Sequence, residues 1–353
     1  MKKVLYVTNI EVPYRVDFFN QLSKNCDLTV LYERKKSSNR DELWTSSTKS
    51  SFKKEYLGGI KVKNEYSFDL KIFKYIFGDY NVIILGCYNS FIEMLAILIM
   101  KLLHKKYILN IDGESFIVGN SFKTKIKKFF LKGASSYLVA GEKSADNIKK
   151  LVKINKVYPY YFSSLTEKEL NNHSKNSNKN LNDTILVVGQ YFDYKGLDIA
   201  LETAKLNKDL QYKFIGMGKR SVELQEKIKE LELNNVEVIP FLQKKDLYNE
   251  YQECKMLVLS SRQECWGLVI NEASSFGTPI VSTNGSGAAV EFLSDEYPIF
   301  LANPNDSKDL YNKINKLINY KNIDNYKKYL LEKSKKYSIE HSVKVHLDVI
   351  NKQ

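Results

Sequence analysis

The sequence predicts an α/β protein built as two domains, each a twisted parallel sheet flanked by helices. Three observations predict it. The chain has 353 residues, more than the roughly 250–300 at which a single hydrophobic core stops growing. Short apolar runs alternate with helical stretches, the pattern of successive βαβ units. That alternation breaks in a polar stretch at residues 171–183 (NNHSKNSNKNLND), whose one apolar residue is Leu181, and then starts again. With 43% apolar and 27% charged residues, the chain is neither a disordered, a collagen-like nor a disulfide-stapled polypeptide.

The elements follow in order. Val4–Val7 is a first apolar strand, Val16–Ser23 is helical, and Leu28–Tyr32 is a second strand. Val82–Leu85 is another strand, followed by an apolar stretch from Phe91 to Leu103, then strands at Tyr107–Ile111 and Ser136–Val139. After the polar break come a strand at Thr184–Val188, a helix at Leu197–Lys205 and a strand at Tyr212–Ile215 that ends on Gly216 and Gly218. Ser221–Leu233 is a charged amphipathic helix and Val236–Ile239 a strand. Leu247–Gln252 is helical, Met256–Leu259 a strand, Val269–Phe276 a helix and Pro279–Ser282 a strand, with lysine-rich helices filling most of the rest. The expected division is 1–170, a linker at 171–183, 184–335, and a C-terminal helix in 336–353 that is a candidate to pack back on the first domain. Two Rossmann-like domains face to face would place ligands beyond the carboxyl ends of their strands, with the cleft between them as the default site.

The formal charge is +13, and it is unevenly placed. Met1–Ser163 holds 28 basic and 15 acidic residues, and Ser164–Gln353 holds 26 of each. Such asymmetry points one half at a polyanion, although a Lys- and Asn-rich composition alone would also produce it. Nucleic acid is excluded as the expected partner because no recognised motif and no aromatic–basic stacking segment is present. In Ser121–Lys132 (SFKTKIKKFFLK), Phe122, Ile126, Phe129 and Phe130 share one helical face among five lysines. This basic amphipathic helix either lies on an anionic membrane or packs its apolar face on the first sheet. The stretch Phe91–Leu103, broken by Glu93 and Lys101, is too short for a bilayer core of about 30 Å and is expected to be a buried helix. The N-terminal apolar run ends by Thr8, too short for a signal-peptide core. A cytoplasmic protein is expected. The cysteines (Cys26, Cys87, Cys254, Cys265) form no C-x-x-C pair and lie far from the four histidines, so spacing supports neither a disulfide framework nor a zinc site. No G-x-G-x-x-G follows the first strand, which argues against a dinucleotide oxidoreductase.

The densest cluster of chemistry is Ser260–Val281, SSRQECWGLVINEASSFGTPIV. A strand feeds a polar turn, then Trp266-Gly267, then a helix. A helix N-terminus at the mouth of a sheet offers unpaired N–H groups and a positive dipole end to a diphosphate. Glu264 stands just before that helix and Glu272 eight residues on, two turns away and on the same face if both positions are helical. Carboxylates beside an anion site suit the hydroxyls of a nucleotide-sugar, one for the sugar and one for the ribose. Capping of the helix dipole would account for Glu264 alone.

This segment resembles the E-x7-E signature of retaining glycosyltransferases of the GT-B architecture, glycosyltransferase family 4. The text LVVGQYFDYKGLDIALETAK is similar to the family's first donor-domain strand and loop. FIGMGKR, with Gly216, resembles its second loop, and VEVIPFLQKKDL, with Phe241 and Leu242, resembles the segment beside the nucleotide base. TNIEVPYRVDFFNQL is similar to members that build bacterial surface polysaccharides. The resemblance implies that Glu264 contacts donor-sugar hydroxyls and that the amides of Gly267, Leu268 and Val269 approach the diphosphate or sugar. It implies that Glu272 holds the ribose and that Lys195 neutralises the diphosphate leaving group. The family often has arginine after the glycine that here is Gly189; this chain has Gln190, one positive charge fewer. Arg262 is either its substitute or a solvated surface arginine. In the first domain the family places a His or Asp near the reacting centre. The candidate here is Asp112, with Glu114 as second choice, though Asp-Gly also suits a plain turn. No D-x-D triplet occurs, so the resemblance implies a site with no metal and no cofactor beyond the donor. It further implies a lipid-linked glycan acceptor on the inner face of the cell membrane. A non-catalytic nucleotide-sugar or polyanion binder on the same fold is the alternative that Gln190 keeps open.

Overall fold

The computed structural model describes residues 1–34, 49–58, 60–63, 66–88, 90–112, 122–176, 182–216 and 218–353. They form two compact units: Met1–Phe162 with Ile339–Gln353, and Ser163–Ser338.

In the first unit, β1 (Lys3–Ile10), β2 (Asp27–Arg34) and β3 (Lys53–Tyr56) join β6 (Val82–Leu85), β7 (Ile108–Ile111), β8 (Ser136–Ala140) and β9 (Val157–Tyr160). They make one sheet in the order β3-β2-β1-β6-β7-β8-β9, with every pairing parallel. β4 (Ile60–Lys63) and β5 (Tyr66–Phe68) pair antiparallel as a separate ribbon. Val4–Val7 and Ile84–Leu85 are wholly buried, as continuous apolar runs must be in a sheet covered on both faces. The covering helices are α1 (Pro13–Leu22), α2 (Lys71–Ile76), α3 (Phe91–Leu102), α4 (Phe122–Leu131) and α5 (Glu142–Val152). Pro13 at the first turn of α1 presets its backbone for the helix.

Two expectations change here. The apolar α3 is buried on one face only: Ile92, Ala96, Ile97 and Met100 join the core, while Phe91, Leu98 and Leu102 stay exposed. The face predicted for α4 is split, with Phe130 in the core and Phe122 (77% accessible), Ile126 and Phe129 exposed. One sheet surface offers each helix a single line of contact, so a helix apolar all round keeps half its apolar surface in solvent.

In the second unit, α6 (Glu167–Lys175) opens on a capping box. The Thr166 hydroxyl accepts from the Glu169 N–H (3.2 Å) and the Glu169 carboxylate accepts from the Thr166 N–H (2.8 Å). Residues 171–175 are therefore helix, not linker; residues 177–181 lie outside the described set. The polar text misled because the helix buries little beyond Leu170 and His173. His173 behaves as an aromatic, stacked on Phe276 at 3.9 Å, and burial pulls its pKa down to about 4. The sheet follows: β10 (Thr184–Val188), β11 (Gln211–Ile215), β12 (Val236–Ile239), β13 (Met256–Leu259), β14 (Ile280–Thr283) and β15 (Leu301–Ala302). It is parallel throughout in the order β12-β11-β10-β13-β14-β15. Around it stand α7 (Leu197–Leu206), α8 (Ser221–Glu230), α9 (Lys244–Glu253), α10 (Leu268–Ser275), α11 (Gly287–Leu293), α12 (Ser307–Ile318) and α13 (Ile323–Ser334). The last helix, α14 (Ile339–Asn351), belongs to the first unit, where it packs on α1 and β9. The first unit thus starts its second segment at Ile339 and ends its first at Phe162, eight residues before the boundary expected at residue 170.

Candidate functional site

The order of the second sheet reverses at β10, which lies between β11 and β13. The loops leaving the carboxyl ends of β10 and β13 diverge there and leave room for a ligand. Gly189 follows β10 and donates its N–H to the Ile215 carbonyl at 3.0 Å. A short 3₁₀ turn, Asp193–Lys195, ends on Gly196 at φ +63°. A Cβ on Gly196 would lie 2.2 Å from the Ser260 carbonyl oxygen, so only glycine lets this turn close on the end of β13. The closure delivers Lys195 to Glu264: the Lys195 ammonium donates to Glu264 Oε1, and both side chains are largely buried. The Ser261 hydroxyl donates to Glu264 Oε2 at 2.8 Å.

Glu264 is not helical. It forms an isolated parallel bridge with Ser286, its N–H donates to the Gly285 carbonyl (2.8 Å), and its carbonyl accepts from the Gly287 N–H (3.2 Å). The expected shared helical face of Glu264 and Glu272 is thereby corrected, since only Glu272 lies in α10. Gly267, at φ +105°, opens α10, and a Cβ there would sit 2.8 Å from Ser286 Oγ. The Trp266 indole N–H donates to Asn271 Oδ1 at 2.8 Å, tying loop to helix. The first-turn amides of Leu268 and Val269 thus start a helix whose position relative to Lys195 and Glu264 is fixed, and such amides have no partner within the helix.

Glu272 sits in mid-α10. It accepts from the Ser164 hydroxyl at Oε1 (2.8 Å) and from the Tyr251 hydroxyl at Oε2 (3.0 Å). Burial raises its pKa, opposed by those donors and by Lys244. Gln190 lies against Gly218, whose Cβ would be 3.3 Å from Gln190 Nε2. Gly216, at φ +83°, directly follows β11, and Phe241 and Leu242 are half-buried in the loop after β12.

Arg262 is half-exposed, and its guanidinium is already paired within the second unit. It grips Asp198 through Nη1 and Nη2 (2.8 and 2.6 Å), the Asp193 carbonyl (2.6 Å) and Asn305 Oδ1 (2.6 Å). Its guanidinium is a strut that fixes the Lys195 turn, and it does not replace the charge that Gln190 lacks. In the first unit Asp112, just beyond β7, accepts from Arg15 Nη2, from the Tyr160 hydroxyl (2.6 Å) and from Asn110 Nδ2 (2.7 Å). Glu114 lies outside the described residues.

Sequence reasoning missed Ser164, Tyr251, Ser261 and Ser286, and the glycines at 196, 285 and 287. The text N-G-S-G carried a signal, because paired glycines around a serine mark close backbone approach. A Cβ on Gly285 would meet the Ser261 carbonyl at 2.4 Å, and one on Gly287 the Cys265 carbonyl at 2.3 Å. Among the described residues no group of three or more His, Cys, Asp or Glu side chains is placed to hold a metal ion.

Two Rossmann-like parallel-sheet units define the GT-B fold. Residues 167–337 match the model of the family "Glycosyl transferases group 1". Anabaena HepE, in complex with UDP and glucose, is similar over 100% of both chains with a TM-score of 0.73 at 14% identity. An uncharacterised glycosyltransferase of Methanocaldococcus jannaschii is 26% identical over 66% of this chain and 63% of its own length. The N,N'-diacetylbacillosaminyl-diphospho-undecaprenol alpha-1,3-N-acetylgalactosaminyltransferase of Campylobacter jejuni is 26% identical over 58% of each chain. These sequence matches span less than two thirds of the relatives' lengths, and the segment that matches the family model lies within the second unit.

Proposed function

We propose that the chain is a retaining, family 4 glycosyltransferase. It moves a hexose or N-acetylhexosamine from a nucleotide-diphosphate sugar, UDP-sugar before GDP-sugar, to a growing surface glycan such as a capsule on a lipid diphosphate. The observation that carries the reading is the Lys195–Glu264 pair beside the α10 N-terminus. The ammonium and the helix-end amides meet the diphosphate with positive charge, and Glu264 keeps an acceptor site on each oxygen for sugar hydroxyls. The bond from the anomeric carbon to the diphosphate breaks through an oxocarbenium-like state. The acceptor oxygen bonds the same face, and its proton passes to the leaving phosphate oxygen. Charge stabilisation comes from fixed dipoles and Lys195, without a metal or cofactor. Asp112 takes part as a held negative charge in the first unit. The test is release of nucleotide diphosphate from UDP- and GDP-sugars by purified protein, with the product anomer read by NMR. Release with retention is expected. No release with any donor, with lipid-diphosphate glycans present, leaves the non-catalytic binding reading.

The location proposed is cytoplasmic, peripheral on the inner membrane face. Among the described residues no helix is long and apolar enough to cross a membrane. The whole +13 lies on the first unit's half of the sequence. There α3 and α4 leave Leu98, Leu102, Phe122, Ile126 and Phe129 exposed, and Lys125, Lys127 and Lys132 are exposed beside them. Apolar side chains ringed by lysines suit an anionic bilayer, each nearby lysine adding on the order of 1 kcal/mol. Co-sedimentation with phosphatidylglycerol vesicles is expected to fall as salt rises, and to fall further in Phe122→Ser/Phe129→Ser. Binding that ignores both changes would remove the membrane from the proposal.

A further inference from the structure

Glu272 is held by two side chains that play no part in the reading above. We infer that Ser164 and Tyr251 are positioning residues that preset the Glu272 carboxylate for a vicinal diol, and so make this unit select ribonucleotide over 2′-deoxyribonucleotide donors. The inference rests on Glu272 being the ribose-holding carboxylate.

A glutamate carboxylate turns easily about its last torsion. Here each oxygen takes one hydroxyl donor, Ser164 on Oε1 at 2.8 Å and Tyr251 on Oε2 at 3.0 Å. The pair fixes the carboxylate plane. A carboxylate accepts about four hydrogen bonds, so one site remains on each oxygen, and two adjacent hydroxyls fill them together. A nucleotide lacking the 2′-hydroxyl fills one and leaves the other bare in a buried place.

Both donors are themselves fixed. Tyr251 is buried, its ring is stacked over Phe276 (6.3 Å), and its carbonyl accepts from Thr278 Oγ1 at 2.5 Å. Burial and the Glu272 charge keep its phenol protonated and donating. The Ser164 carbonyl accepts from Lys244 Nζ at 3.0 Å, and Lys244 pairs with Glu169 of the α6 capping box at 2.7 Å. Ser164 therefore enters through the lead-in to α6, within the second unit but ahead of both the donor domain expected from sequence and the matched family segment.

The experiment is calorimetric titration with UDP and 2′-deoxy-UDP, and with the guanosine pair, on wild type, Tyr251→Phe, Ser164→Ala, Ser164→Thr and Glu272→Ala, with melting temperatures alongside. Wild type should prefer the ribonucleotide. Tyr251→Phe and Ser164→Ala should each narrow that preference by about tenfold, the effect of one hydrogen bond to a charged group, at nearly unchanged melting temperature. Ser164→Thr, which keeps the hydroxyl, should restore it. Full preference in Tyr251→Phe and Ser164→Ala, with preference lost in Glu272→Ala, would overturn the positioning role and leave the ribose reading standing. Preference kept in Glu272→Ala, or absent from wild type, would overturn the ribose reading and the inference with it.

Discussion

Lys195→Met should lower turnover by roughly 100- to 1,000-fold while changing donor affinity only a few-fold. The difference between the two effects follows from where charge develops. On the proposed reading, the diphosphate charge of the bound donor is shared over several oxygens and met by the α10 amides and solvent. As the bond to the anomeric carbon breaks, charge gathers on the departing oxygen, and a lysine point charge is suited to that moment. Lys195 is placed to act without rearrangement. The Gly196 turn and the Arg262 strut hold its backbone, and the ion pair with Glu264 holds its tip. Its stem passes about 4 Å from where a Gly189 Cβ would stand, so the strand end and the lysine share one surface. Because Gln190 brings no charge and the Arg262 guanidinium is engaged by Asp198, Asp193 and Asn305, no second cation of this loop pair takes over. Steady-state kinetics with saturating acceptor checks the split between kcat and KM. Adding Gln190→Arg to Lys195→Met should recover part of the loss. Wild-type turnover in Lys195→Met would remove Lys195 from the leaving-group role.

Much of this was legible in the sequence because it depends on apolar runs and glycines. Buried parallel strands such as Val4–Val7 and Met256–Leu259 carry unbroken apolar text, and the strain at Gly267 announces itself as Trp-Gly before a helix. What stayed hidden depends on contacts between distant residues. Ser164 and Tyr251 have no local pattern that marks them, and they meet Glu272 only because α6, α9 and α10 pack together. α6 was hidden for another reason: its buried face is one leucine and one histidine, and the histidine counts as polar in any hydropathy pattern. Arg262 looked available because sequence shows its charge and not the carboxylate of Asp198, sixty-four residues away in the chain. The exposed face of α3 was invisible too, since apolar text says that a side chain prefers burial and not that a surface exists to receive it.

Asp112→Ala should destabilise the first unit by about 3–5 kcal/mol, because it strands a buried guanidinium. Arg15 is 4% exposed. Without Asp112 it keeps a long contact to the Tyr6 hydroxyl (3.5 Å) and the ring faces of Phe18 and Phe162 at 5.8 and 5.3 Å, which do not neutralise its charge. For a unit of this size the melting temperature should fall by roughly 10 °C. The same network reaches the C-terminal helix, where His346 Nε2 meets Asn110 Oδ1 at 2.8 Å. Burial, helped by Arg15, pulls the His346 pKa down to about 3, so the imidazole is neutral and adds no second positive charge beside Arg15. Because stability and chemistry are both at stake in Asp112→Ala, the informative variant is Arg15→Met/Asp112→Ala, which removes the charge together with its partner and should regain most of the lost stability. If Asp112 serves only to neutralise Arg15, turnover returns along with the melting temperature. If its carboxylate acts on the reaction, the double variant melts near the wild-type temperature and stays slow. Thermal unfolding and kcat measured on the same preparations separate the two, and a single Asp112→Ala variant that melts like wild type would show that the Arg15 charge is not held by this pair.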